Sequence, residues 1–123
     1  MKKILFLLTS LCLISCYNQE RNCKDFATGS FEFSQTINGK TQTSTFIRTD
    51  SLQIETYNGK TDTASVRWVN DCEFVLQKLH PKTMAEQKAI AIKILFTKEN
   101  TYTFEYGFVG DNKKERGIVT KLD

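Results

Sequence analysis

From Gly29 onward, apolar and polar residues alternate with a period of two, and the alternating runs are broken at short intervals by turn residues. Phe31 and Phe33 alternate with Ser30, Glu32 and Ser34, and Leu52 and Ile54 with Ser51, Gln53 and Glu55. Ala64, Val66 and Trp68 follow the same style, as do Tyr102, Phe104, Tyr106 and Phe108 among Thr101, Thr103, Glu105 and Gly107. Successive side chains of a strand point to opposite faces, so the pattern describes half-buried antiparallel strands. Turn signals fall between them at Asn38-Gly39, Asn58-Gly59, Asn70-Asp71, Glu99-Asn100 and Gly110-Asp111-Asn112. About eight strands result, over 29–37, 41–49, 51–57, 62–69, 73–79, 89–98, 101–109 and 115–122. The expected fold is all-β: an antiparallel meander forming a small barrel or a strongly curved sheet, with barrel closure leaving no open edge.

One segment reads differently. Pro81 follows His80, and Thr83-Met84-Ala85-Glu86 has capping-box spacing, so a short helical turn is expected near 82–88, covering one end of the barrel. A longer helix through Leu95 is disfavoured because Ile90, Ile92, Ile94 and Phe96 keep strand alternation.

Register can be read from WVNDCEF, residues 68–74. A two-residue loop at Asn70-Asp71 would set Trp68 against Glu73 and mix the two faces. A three-residue loop, Asn70-Asp71-Cys72, pairs Trp68 with Phe74 and Val66 with Leu76. A one-residue slip turns every side chain to the wrong face, so the second register is expected. Asn and Asp tolerate the left-handed backbone such loops use. Cys72 then stands at a hairpin tip.

The N-terminus carries an address. Lys2-Lys3 precede an apolar run, Ile4 to Ile14, far shorter than the roughly 20 residues that span a bilayer, which reads as a secretory signal. Leu13-Ile14-Ser15-Cys16 resembles a bacterial lipobox, and that resemblance implies cleavage before Cys16 and acylation of Cys16. Several acyl chains on one residue would exceed the two membrane signals that stable anchoring needs. The expected division is therefore a signal peptide over 1–15, a lipid-anchored tether over 16–28, and a single β-barrel-like domain over 29–123. Tyr17, rather than Asp, follows Cys16, which by resemblance to general lipoprotein sorting favours the outer membrane. Tyr17-Asn18-Gln19-Glu20 lacks an acidic surface-export cluster, so the periplasm-facing leaflet is expected.

Loss of 1–15 removes Lys2 and Lys3 and no acid, leaving 15 Lys+Arg against 14 Asp+Glu. No clustered basic face remains for nucleic acid; Lys113-Lys114-Glu115-Arg116, the densest patch, reads as a solvated turn. Cys12 leaves with the signal and Cys16 takes the lipid, so Cys23 and Cys72 remain in an oxidising compartment. Even pairing there argues for a disulfide, with two free or metal-bound thiols as the alternative. With 48 residues between the two ends, the bridge would contribute about 4 kcal/mol on chain-entropy grounds.

Catalytic candidates are few. The one histidine, His80, lies beside Pro81 in a connection, and no Gly-x-Ser-x-Gly elbow, glycine-rich phosphate loop or calcium-loop pattern occurs. Asp71-Cys72 lacks a cationic neighbour to activate a thiol. No enzyme, cofactor or metal site is expected. Phe31, Phe33, Phe46, Trp68, Phe74, Phe96, Tyr102, Phe104, Tyr106 and Phe108 either fill the barrel or line a ligand cavity; filling is favoured because so short a chain needs its apolar residues for a core.

CKDFATGSFEF and WVNDCEF, behind the lipobox, resemble a group of small Bacteroidetes-type lipoproteins that share a lipocalin-like W-x-N-D-C-E-[FY] hairpin. The resemblance implies the lipocalin-like β fold and supports the Cys23–Cys72 pairing. Such proteins are sometimes labelled DNA topoisomerase IV, which no feature of this chain supports. Function is expected to be non-enzymatic: a lipid-anchored interaction or structural module of the envelope, contacting an envelope protein or cell-wall component. A lipocalin-like carrier of a small apolar ligand and an inhibitor of a cell-wall hydrolase are the alternatives.

Overall fold

A computed structural model describes residues 20–123. The signal peptide expected over 1–15, the acylation expected at Cys16 and residues 17–19 lie outside the described residues. The fold is all-β, with eight antiparallel strands in sequence order: β1 Gly29–Ile37, β2 Lys40–Arg48, β3 Leu52–Tyr57, β4 Lys60–Asn70, β5 Glu73–Lys78, β6 Ile90–Lys98, β7 Thr101–Phe108 and β8 Glu115–Lys121. The meander closes, because β1 also pairs with β8 through Phe31–Lys121, Glu32–Thr120 and Phe33–Val119. Closure leaves every strand with two neighbours and no exposed edge.

Turn chemistry explains the meander. Asn38-Gly39 and Asn58-Gly59 take positive φ at both positions, 51° and 77°, then 49° and 73°, as two-residue hairpin turns of matching twist require. The third tight turn places Glu99 at φ 54°, where a side chain with a Cβ is strained. The helical turn is a single 3₁₀ turn, Ala85–Gln87. Its capping box is reciprocal: Glu86 N donates to Thr83 Oγ1 at 3.2 Å, and the Glu86 carboxylate accepts from Thr83 N at 3.1 Å and Lys82 N at 2.7 Å.

The alternation fails in two strands. On β3 the inward face is Gln53 and Glu55, with Leu52 and Ile54 outside; Gln53 is buried and Ile54 pairs with the exposed Ile47. The reason is the neighbour: Arg48 and Phe46 on β2 point inward and stand opposite Gln53 and Glu55. On β6 a bulge between Ile94 and Phe96 shifts the phase. Ile94 faces the core, Thr97 replaces Phe96 on the inner face, and Phe96 lies beside the outward Thr103.

The segment expected to be tether up to residue 28 is part of the domain from Glu20 onward. A 3₁₀ turn, Cys23–Phe26, buries Cys23 and Phe26 in the same cluster as Phe31, Phe46, Ile94, Tyr102, Phe104 and Val119. Polar anchors hold it: Glu20 O accepts from Thr97 N at 2.7 Å, Asn22 N donates to Thr97 Oγ1 at 3.0 Å, and Lys121 Nζ donates to Asp25 O at 2.7 Å. Its polar composition hides a plug, because only Cys23 and Phe26 are buried in the core and the rest of the docking uses backbone groups and the Arg21 side chain, whose Nη2 donates to Ile94 O at 2.8 Å.

Candidate functional site

The barrel has two unlike ends. Strand direction places residues 20–28, the β2–β3 connection, the Asp71-Cys72 tip and the Glu99-Asn100 turn at one end. The two Asn-Gly turns, the 79–89 connection and residues 109–114 lie at the other.

At the plugged end, WVNDCEF forms the expected core register, with Val66 opposite Leu76 and Trp68 opposite Phe74. The Trp68 and Phe74 ring centroids are 4.5 Å apart. That register is reached differently from the sequence expectation. Asn70 pairs with Glu73 across a two-residue tip, Asp71-Cys72, and the extra residue is absorbed in a bulge between Trp68 and Asn70. Neither Asn70 nor Asp71 is left-handed. Asn70 works instead through its side chain: Oδ1 accepts from Cys72 N at 2.9 Å, and Nδ2 donates to Glu73 Oε2 at 2.6 Å. Asp71 makes a surface ion pair with Lys24 at 3.8 Å. Cys72 is joined to Cys23, with Cα atoms 5.2 Å apart, so the thiol at the tip is consumed in tying the plug to the hairpin.

Sequence reasoning missed the residue at the centre of this end. Arg48, 2% exposed, lies inside the barrel with its guanidinium 4.6 Å from the ring centroids of both Phe31 and Phe74. It donates through Nη2 to Phe26 O at 2.8 Å and through Nε to Ala27 O at 3.2 Å, both on the plug. Nη1 donates to Gln53 Oε1 at 3.2 Å, and both terminal nitrogens reach the Tyr102 hydroxyl oxygen, at 3.4 and 3.2 Å. No carboxylate pairs with Arg48 among the described ion pairs. Carbonyl dipoles and ring faces take the place of an anion, which a planar, weakly hydrated guanidinium accepts better than an ammonium would. Burial raises the Tyr102 pKa, with Arg48 opposing. The available signal was phase: Arg48 continues the inward series Ser44, Phe46.

The other end is open. A cavity of about 300 Å³ is walled by Ala64, Leu76, Ile90 and Phe108 together with Glu55, Asp62, Lys78, Glu86 and Lys88. A second hollow of about 280 Å³ shares Ile90 and Phe108 and continues to Tyr106 and Glu115. Cross-strand pairing sets Glu55 directly opposite Asp62. Lys78 Nζ lies 2.9 Å from both Asp62 Oδ2 and Glu86 Oε1, and these hydrogen bonds raise the Lys78 pKa. Glu55 is left out of those ion pairs. Burial pushes its pKa up, the Ser44 hydroxyl and Lys78 oppose, and Asp62 adds to the rise. His80 is exposed in the connection beyond. Among the described residues no group of three or more His, Cys, Asp or Glu is placed to hold a metal ion.

The aromatic residues accordingly divide between filling and lining. Phe31, Phe46, Phe74, Tyr102 and Phe104 fill the plugged half, while Phe108 stands at the mouth. Fold and ends together define a small, lipocalin-like antiparallel barrel, plugged at one end and cupped at the other. No family model matches the chain, and no match is found among curated proteins or solved structures.

Proposed function

We propose that this chain is a non-enzymatic, lipid-anchored envelope protein, an interaction module whose working end is the barrel mouth. The supporting observation is the polarity of the fold. Glu20 leads into the plug, and five exposed large apolar residues, Ile37, Leu79, Met84, Phe108 and Val109, lie toward the opposite end, against Ile47, Val69 and Leu122 toward the plug. Exposed apolar groups that cluster are a mark of a contact surface. With three residues between Cys16 and Glu20, a lipid on Cys16 would hold the plugged end within about 14 Å of the membrane. The mouth would then face away, from the outer membrane into the periplasm in the reading adopted here, toward an envelope protein or cell-wall component.

A photoreactive side chain at residue 84, on the rim, or at residue 69, on the plugged end, tests this in native envelopes. A discrete, stoichiometric adduct from position 84 and none from position 69 is expected. Equal capture, or capture from position 69 alone, overturns the reading.

A second reading, a carrier of a small ligand, is favoured by the mouth cavity. Its 300 Å³ equals about ten water volumes. That suits a small molecule rather than a long acyl chain, since the deeper half is filled with side chains.

A further inference from the structure

We propose that the mouth cavity binds a small primary ammonium compound with an apolar body, its charged head held by Glu55. The proposal rests on the mouth being the working end, and adds the chemistry of what enters it.

The cavity offers two kinds of wall. Ala64, Leu76, Ile90 and Phe108 present hydrocarbon and ring surface suited to an apolar body. Facing them are three carboxylates, Glu55, Asp62 and Glu86, and two ammonium groups, Lys78 and Lys88. The lysines are not equivalent to free counter-ions for Glu55. Lys78 spans Asp62 and Glu86 at 2.9 Å each, and Lys88 Nζ lies over the Phe108 ring, 5.3 Å from its centroid. Three carboxylates against two ammonium groups leave one negative charge in excess, and Glu55 is the carboxylate of the cavity that takes part in none of these ion pairs.

The arrangement is costly when empty. Glu55 is half-buried, and its direct cross-strand neighbour is another acid, a pairing that destabilises a sheet. The protein's own remedies are partial: the Ser44 hydroxyl and the Coulomb field of Lys78 both favour the charged form, and burial outweighs them. An ammonium entering between Glu55 and Asp62 supplies the missing donor, and the charge-assisted bond gains strength from the low-dielectric wall behind it. A carboxylate ligand meets like charge at Glu55 and Asp62, and a neutral alcohol gains no ionic bond. Discrimination by charge is therefore built into an apolar cup.

The test uses residues 20–123, which contain every strand, the plug and the disulfide. Hexylammonium, hexanol and hexanoate, alike in body and different in head, are titrated at pH 7.5 and followed by amide NMR shifts of Glu55, Ala64 and Leu76. Hexylammonium is expected to bind about tenfold tighter than either of the others. Glu55→Gln, with its fold verified by circular dichroism, is expected to bring the three affinities together. Lowering the pH through the raised Glu55 pKa should weaken hexylammonium and leave hexanol unchanged. If all three probes bind alike, or the preference survives in E55Q, the ammonium assignment fails while the cup remains a binding site. If no probe binds at millimolar concentration, both the assignment and the cup as a small-molecule site are overturned.

Discussion

The Arg48 guanidinium satisfies the Phe26 and Ala27 carbonyls, and removing it leaves the first, buried, and the second, part-buried, without that donor. Arg48→Met fills similar volume but leaves those acceptors and Gln53 Oε1 without their donor. A loss of about 3 kcal/mol is expected in chemical denaturation, since each buried unsatisfied group costs about 1–3 kcal/mol. Arg48→Lys should recover only part of it, because one ammonium cannot reach all the acceptors that the guanidinium fork serves. At the tip, Cys72→Ser should cost about 2–4 kcal/mol in chemical denaturation and leave Cys23 as a free thiol by non-reducing mass mapping. Glu55 has the opposite sign. Its folded pKa lies above the ordinary 4.5, so the folded state holds its proton to higher pH than the unfolded chain does. The stability penalty is absent below pH 4.5 and grows as pH rises through the folded pKa. Glu55→Gln should therefore raise the urea midpoint at pH 7 and flatten the decline of stability just above pH 4.5.

At the scale of elements, β8 is shaped by a residue with no side chain. A Cβ at Gly117 would lie 2.8 Å from Phe33 and 2.9 Å from Phe104, whose rings pack edge to face across it. Gly117→Ala should thus destabilise by about 1–3 kcal/mol through overpacking, read from thermal or urea unfolding. Strand number, order and extents were legible in the sequence because the turns carry their own chemistry and the strands alternate between them. Both Asn-Gly pairs, the Thr83–Glu86 box and the Trp68–Phe74 register belong to that class. What was hidden has a physical reason in each case. The bulge at Leu95 inverts the phase of β6, and no residue type there announces it. On β3, apolar Leu52 and Ile54 point outward because a buried arginine one strand away needs Gln53. Residues 20–28 look like solvated linker because docking through backbone groups and one polar side chain, Arg21, leaves almost no compositional trace. Of the candidate mouth site, the sequence showed Glu86 only as part of a capping box and Glu55 only as an alternating polar residue; the cluster exists because β3, β4, β5 and the 3₁₀ turn converge on one end.

For the whole molecule, plugging one end and leaving the other open makes the barrel directional. The disulfide, Arg48 and the Thr97 contacts all secure the end that the N-terminal segment enters, so a pull transmitted through that segment is borne by the best-packed half. The rim at the far end carries the larger share of the exposed apolar groups, with Ile37, Leu79, Met84, Phe108 and Val109, and the Glu55 cavity. Strands of six to eleven residues, tilted as barrel strands are, separate the ends by about 20 Å. This separation makes the orientation measurable. The lipidated protein is reconstituted in vesicles with an energy acceptor on the lipid headgroups, and a fluorophore is attached at residue 84 or at residue 69. The account predicts strong transfer from position 69 and weak transfer from position 84; equal transfer, or the reverse order, would contradict a mouth held away from the membrane.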